Sequence, residues 1–232
     1  MIMNSASERD KMAVLVNKNP YLLFMLEHFG ISLGFKDKDI KEICAENGID
    51  IYLFILIINI FNGIKIDNRI DYLKVDVMGI IEYLKNSHKY YIEDRYPEIK
   101  ICIEKICKKN SKAVVLINFF DNYFDEVVEH MNYENEIVFP YVINLRDILF
   151  NGINIRNKTY SVNNYREHHN DISEKLSDLK NLLIKYLPIE DDVRERRNLL
   201  MNLFELEYNL NIHSRIEEEL LIPIIEKMEN NI

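Results

Sequence analysis

Two stretches of this chain carry the same interruption. Read in steps of four and three residues, one apolar stripe runs Leu116, Phe120, Tyr123, Val127, His130, Glu134, Ile137, Tyr141; another runs Leu199, Leu203, Leu206, Leu210, His213, Glu217, Leu220, Ile224. Both have the spacing of the inward face of a long amphipathic helix, and both break for two successive polar members, a histidine and a glutamate four residues on. Glutamate is almost never buried without a partner, because an unpaired interior carboxylate costs roughly several kcal/mol. A chain that folds with both pairs inside needs a cation, or a proton, between them.

Two further helical patterns add to this. One runs Val77, Ile81, Leu84, His88, Tyr91, and the other Tyr165, His169, Ile172, Leu176, Leu179, Leu183, Tyr186. Each of four long patterns thus brings one histidine to its apolar face. Residues four apart share one face of a helix, so His130 with Glu134 and His213 with Glu217 can offer nitrogen and oxygen to the same point. His168 falls on the other side of its helix, with Asn164, Asp171 and Lys175.

The remaining text fits an all-α fold. Six Gly and five Pro in 232 residues leave few tight turns, which argues against a many-turned β architecture. Breaks near Asn110, from Asn151 to Ser161 and at Pro188 separate the four long patterns, and short connections between four long helices predict an antiparallel four-helix bundle over residues 72–232. Ahead of it, residues 1–16 read as an arm and residues 17–65 as a small three-helix domain. Asn19-Pro20 opens its first helix, Asp37 to Asn47 with Gly48 makes its second, and Asp50 caps the third, Ile51 to Phe61, closed by Gly63. That third helix is apolar nearly all round, which predicts burial on most sides or a homodimer contact. The polar stretch near residues 62–71 reads as a linker, so the bundle is expected to fold and bind metal without the segment before it.

Several function classes are excluded by charge and length of apolar run. Twenty-nine basic against thirty-eight acidic residues give a net charge of −9, with no basic face for nucleic acid. Ile51 to Phe61 is far short of the ~20 residues a bilayer crossing needs, and the opening twenty residues lack a signal-peptide pattern, so a cytoplasmic protein without membrane partners is expected. Cys44, Cys102 and Cys107 form neither an even disulfide framework nor a CxxC pair and read as reduced thiols.

Four imidazoles mixed with two carboxylates, and no cysteine on any stripe, suit iron or manganese better than a structural zinc. Six ligands exceed what one ion with an open position can use. Two ions bridged by the glutamates are the economical arrangement.

The segments His130-Met-Asn-Tyr-Glu134-Asn-Glu-Ile-Val-Phe-Pro140 and His213-Ser-Arg-Ile-Glu217-Glu-Glu-Leu-Leu-Ile-Pro223 resemble the paired HxxxE-x5-P signatures of hemerythrin-like (HHE) domains, and His88 and His169 fall where that family places its other histidines. The resemblance spans roughly residues 78–228. Residues 17–61, above all HFGISLGFKDKDIKEICAENGID, resemble the small first domain of the repair-of-iron-centres group within that family. This implies His88, His130, His169 and His213 as terminal iron ligands and Glu134 and Glu217 as bridges of an oxo- or hydroxo-bridged pair. Four histidines fit that group better than the five of oxygen carriers. Where the group has a Cys-Cys pair after the FGI-type turn, this chain reads Gly30 to Phe35 without cysteine.

The expected function is a non-haem di-iron protein of iron-sulfur cluster repair or the response to nitric oxide and oxidative stress, with iron-sulfur proteins as partners and O2 or NO as small ligands. Two alternatives remain open at this point: a sensor or carrier of O2, NO or iron acting through a partner protein, and a di-iron redox enzyme such as a ferroxidase or peroxidase.

Overall fold

The computed structural model describes residues 5–67, 70–152, 160–168, 174–188 and 192–232. The described residues are helical with no strand; the only sheet-like pairing among them is an isolated bridge between Lys11 and Asp39. No helix among them is long and apolar enough to cross a membrane. The chain gathers into two compact units, one of residues 1–87, 139–164 and 212–232 and the other of residues 88–138 and 165–211.

The first unit begins with four short helices, α1 Met12–Lys18, α2 Leu22–His28, α3 Ile40–Asn47 and α4 Ile51–Phe61. Local chemistry sets their ends. Asp39 and Glu42 form a reciprocal capping box at the start of α3, and Gly48 takes the left-handed conformation at its end, where φ is 67°. Asp50 caps α4 through the Leu53 N–H. Helix α1 overlaps the segment expected to be an arm, and Ser5 and Ala6 are also tied down: Asn59 accepts from the Ala6 N–H at 2.8 Å and donates to Ser5 Oγ at 3.0 Å. The single polar residue in the apolar stretch of α4 is thereby satisfied inside the fold.

Eight of the eleven residues of α4 are buried within the chain, as its all-round apolar surface predicts. The stretch that reads as a linker is held as well. Arg215 donates to the carbonyls of Ile60 at 2.7 Å and Ile64 at 3.3 Å, and Glu219 accepts from the Ile66 N–H at 3.0 Å. Asn86 likewise donates to the His28 carbonyl at 2.9 Å. The unit is completed by α5 Val77–Lys89 as far as Ser87, by α8 Phe139–Asn151, by the start of α9 Val162–His168, and by α12 Ile222–Glu229, which packs on α8.

The second unit holds α6 Tyr96–Cys107, α7 Val114–Tyr133, α10 Glu174–Asn181 and most of α11 Val193–Ile216. Helix α7 packs against α6 and α10. Leu116, Phe120, Tyr123 and Val127 of α7, Leu176 and Leu179 of α10, and Leu199, Leu203, Leu206 and Leu210 of α11 are buried, as their stripes predict. Arg196 closes one end by donating to the carbonyls of Leu183, Leu187 and Pro188, its charge balanced by Asp192 at 2.8 Å.

Among the described residues there are four wide π turns: Tyr90–Arg95, Glu134–Val138 and Glu217–Leu221 interrupt long helices, and Leu182–Tyr186 ends one. Each is followed within two residues by a proline: Pro97, Pro140, Pro188 and Pro223. Proline has no N–H for the carbonyl four residues back and crowds it, and for Pro97, Pro140 and Pro223, which continue their helices, that carbonyl (Glu93, Glu136, Glu219) lies within the π turn; Pro188 lies beyond the helix end at Leu187. The extra residue per turn rotates the helix face by one position. Ile137, expected inward, is 44 % exposed while Val138 is buried; Tyr186, expected inward, is 71 % exposed while Leu187 is buried. In the other two stripes the expected residues stay buried: Tyr91 lies inside its π turn, and Leu220 and Ile224 lie within and beyond theirs.

Candidate metal centre

In the second unit, His88 near the end of α5, His130 in the last turn of α7 and Glu134 at the first position of its π turn come together. Nε2 of His88 lies 3.2 Å from Oε2 of Glu134, and Nε2 of His130 lies 3.2 Å from Oε1. The Glu134 side chain has no solvent exposure, that of His88 is 2 % exposed, and that of His130 10 %. Sequence spacing explains the second pair, since four residues is one helical turn. The first pair is a long-range contact that only the packed fold supplies.

Two neighbours hold this group in place. Tyr165, buried on α9, donates its hydroxyl to Glu134 Oε1 at 3.2 Å. Asn135 Oδ1 lies 3.1 Å from His88 Nδ1. If the ring donates here, as facing a carbonyl-type oxygen requires, the Nε2 of His88 that faces Glu134 carries a lone pair.

In the first unit, His213 of α11 and Glu217 at the first position of its own π turn are paired in the same way, Nε2 to Oε1 at 3.5 Å, both fully or almost fully buried. The opposite ring nitrogen, Nδ1, lies 3.0 Å from Ser87 Oγ. In both pairs the glutamate opens a π turn, a feature that recurs at functional sites in helices.

The donor set fits a metal ion. Neutral imidazole Nε2 atoms and ionised carboxylate oxygens all present lone pairs, so separations of 3.2 to 3.5 Å between buried groups are favourable only with a proton or a cation among them. All five of these side chains fall in buried or nearly buried His and Glu groups able to hold an ion. Mixed nitrogen and hard oxygen ligands suit iron or manganese, and none of the three cysteines takes part.

His169, the sixth expected ligand, lies outside the described residues. Its neighbour His168 is exposed and stacks on Tyr133, with ring centroids 4.7 Å apart at 18°. Sequence reasoning missed Tyr165, Ser87 and Asn135 as supports of the site. Tyr165 stood on an expected inward stripe, which was a usable signal for it; Ser87 and Asn135 are each adjacent to an expected ligand.

Cys44 is 2 % exposed, and burial, reinforced by the Asp50 carboxylate, pushes its thiol up to about 12. A thiol so held is not a nucleophile near neutral pH.

None of the protein-family models matches the chain. The chain is similar to a protein of Staphylococcus haemolyticus (strain JCSC1435) named iron-sulfur cluster repair protein ScdA, 20 % identical over 151 residues. The match covers 63 % of this chain and 66 % of that protein, a little under two thirds of its length.

Proposed function

We propose that the protein is a non-haem di-iron protein that takes part in iron-sulfur cluster repair, within the response to nitric oxide and oxidative stress, with iron-sulfur proteins as its partners. His88, His130, His169 and His213 would be terminal ligands, and Glu134 and Glu217 would bridge two ions held inside an antiparallel four-helix bundle preceded by a small first domain. The observation that carries this reading is Glu134: a carboxylate with no solvent exposure, set 3.2 Å from two imidazole nitrogens. The name of the Staphylococcus relative supplies the repair context.

A bound iron pair would supply one-electron chemistry toward ligands such as O2 or NO, and a store of iron that can be given up. The protein's own residues do the rest. Tyr165 directs Glu134 by its hydrogen bond, Asn135 orients His88, and burial of His88, Glu134, His213 and Glu217 keeps bulk water out and strengthens every charge interaction among them.

The test is transfer. Protein loaded anaerobically with ferrous iron and freed of excess is incubated with a cluster-depleted iron-sulfur protein, sulfide and thiol, in the presence of a chelator that captures free iron. Restoration of the cluster by the loaded protein, and not by the same amount of free iron, is the expected result. Equal failure of both contradicts a repair role, which neither a sensor nor a redox enzyme would require.

A further inference from the structure

Ser87 stands behind His213 in a way that fixes the state of the ring. Its Oγ is 2.7 Å from the Leu84 carbonyl and 3.0 Å from His213 Nδ1, and both Ser87 and His213 are almost completely buried. A hydroxyl has one hydrogen to give, and a carbonyl oxygen can only accept. The hydroxyl hydrogen is therefore committed to Leu84, and Ser87 meets the imidazole with a lone pair. The 3.0 Å contact is a hydrogen bond only when Nδ1 carries the ring hydrogen. Neutral His213 then has its lone pair on Nε2, the atom that lies 3.5 Å from Glu217 Oε1.

We propose that Ser87 is a positioning residue that holds His213 in the Nδ1–H tautomer and thereby makes Nε2 the metal-binding atom. A metal-ligating histidine depends on the partner of its other nitrogen, which sets both ring orientation and basicity. Ser87 sits one residue before His88 on α5, so a single turn of that helix supplies one ligand and the support of another. The identity of what Nε2 binds rests on the di-iron reading; the tautomer itself does not.

The experiment uses full-length protein labelled with 15N-histidine, without metal and above the ordinary imidazole pKa of about 6.5. Wild type is expected to show a pyrrole-type nitrogen at His213 Nδ1 and a pyridine-type one at Nε2, Ser87→Thr the same pattern, and Ser87→Ala a loss of that preference. Iron affinity, measured by chelator competition, is expected to fall about 10- to 100-fold in Ser87→Ala and to recover in Ser87→Thr. A wild-type His213 without a hydrogen at Nδ1, or a Ser87→Ala protein with unchanged ring protonation and affinity, overturns the proposal. Wild type that shows the expected tautomer but takes up no iron supports the role of Ser87 in setting the ring and overturns the di-iron reading instead.

Discussion

The phenol of Tyr165 and the imidazole of His130 meet the same oxygen, Oε1 of Glu134, each at 3.2 Å. The first is a donor that the carboxylate keeps whether or not a cation is present; the second can either donate or give its lone pair to an ion. Tyr165→Phe removes only the fixed donor. The variant is expected to fold and bind iron, with an affinity about 10- to 100-fold weaker because the carboxylate is less well oriented. Chelator competition checks this, and wild-type affinity would show the hydroxyl to be irrelevant to the site.

Glu134→Leu separates the metal site from the stability of the fold. Without metal, wild type holds a buried carboxylate among imidazoles; leucine removes that burden but leaves the Tyr165 hydroxyl without its acceptor. Metal-free Glu134→Leu is expected to be at least as stable as metal-free wild type, by up to about 2 kcal/mol, and to gain nothing from iron. Wild type itself is expected to melt several degrees higher when loaded. Denaturation of all four samples in parallel is the check; a Glu134→Leu protein far less stable than the metal-free wild type would mean that Glu134 is a structural ion-pair partner.

The neighbours His168 and His169 provide a test of register. His168 is exposed and stacked on Tyr133, so His168→Ala should keep its iron, whereas His169→Ala should lose it. The reverse outcome would shift the third inward stripe by one residue.

Both buried His–Glu pairs were legible in the sequence because four-residue spacing within a helix is a local property. His130 with Glu134 and His213 with Glu217 could be paired from the text alone, and burial of Leu176, Leu179, Leu199 and Leu203 follows from their period. What was not legible required either contact between distant segments, as for Tyr165 on Glu134 and Ser87 on His213, or a change of helical period. The prolines at equal offsets were visible, yet their effect on the preceding turn, which turns Val138 in and Ile137 out, depends on how the unpaired carbonyl is accommodated. Residues 1–65 read as separable from the text, and nothing local announces that Arg215 reaches the Ile60 and Ile64 carbonyls.

Cys44 yields a pH prediction with a definite sign. Its thiol is pushed up from 9.0 to about 12 in the fold, so the folded state prefers the protonated form. Its contribution to stability is intact below about 9 and is lost as pH climbs through that value toward 12. The stability difference between wild type and Cys44→Ala should therefore shrink on going above pH 9, and maleimide should label Cys102 and Cys107, both partly exposed, well before Cys44 in native protein. Rapid labelling of Cys44 at neutral pH would restore it as a candidate reactive thiol.

A dinuclear iron centre is tested most directly by metal content. Full-length protein purified and reconstituted with ferrous iron without oxygen, then freed of unbound metal, should contain two iron ions per chain. Air exposure should give the near-ultraviolet absorption of a bridged ferric pair, and His213→Ala and Glu134→Leu should each abolish the two-iron content. A chain that retains one tightly bound zinc, or takes up no iron at all, contradicts the account.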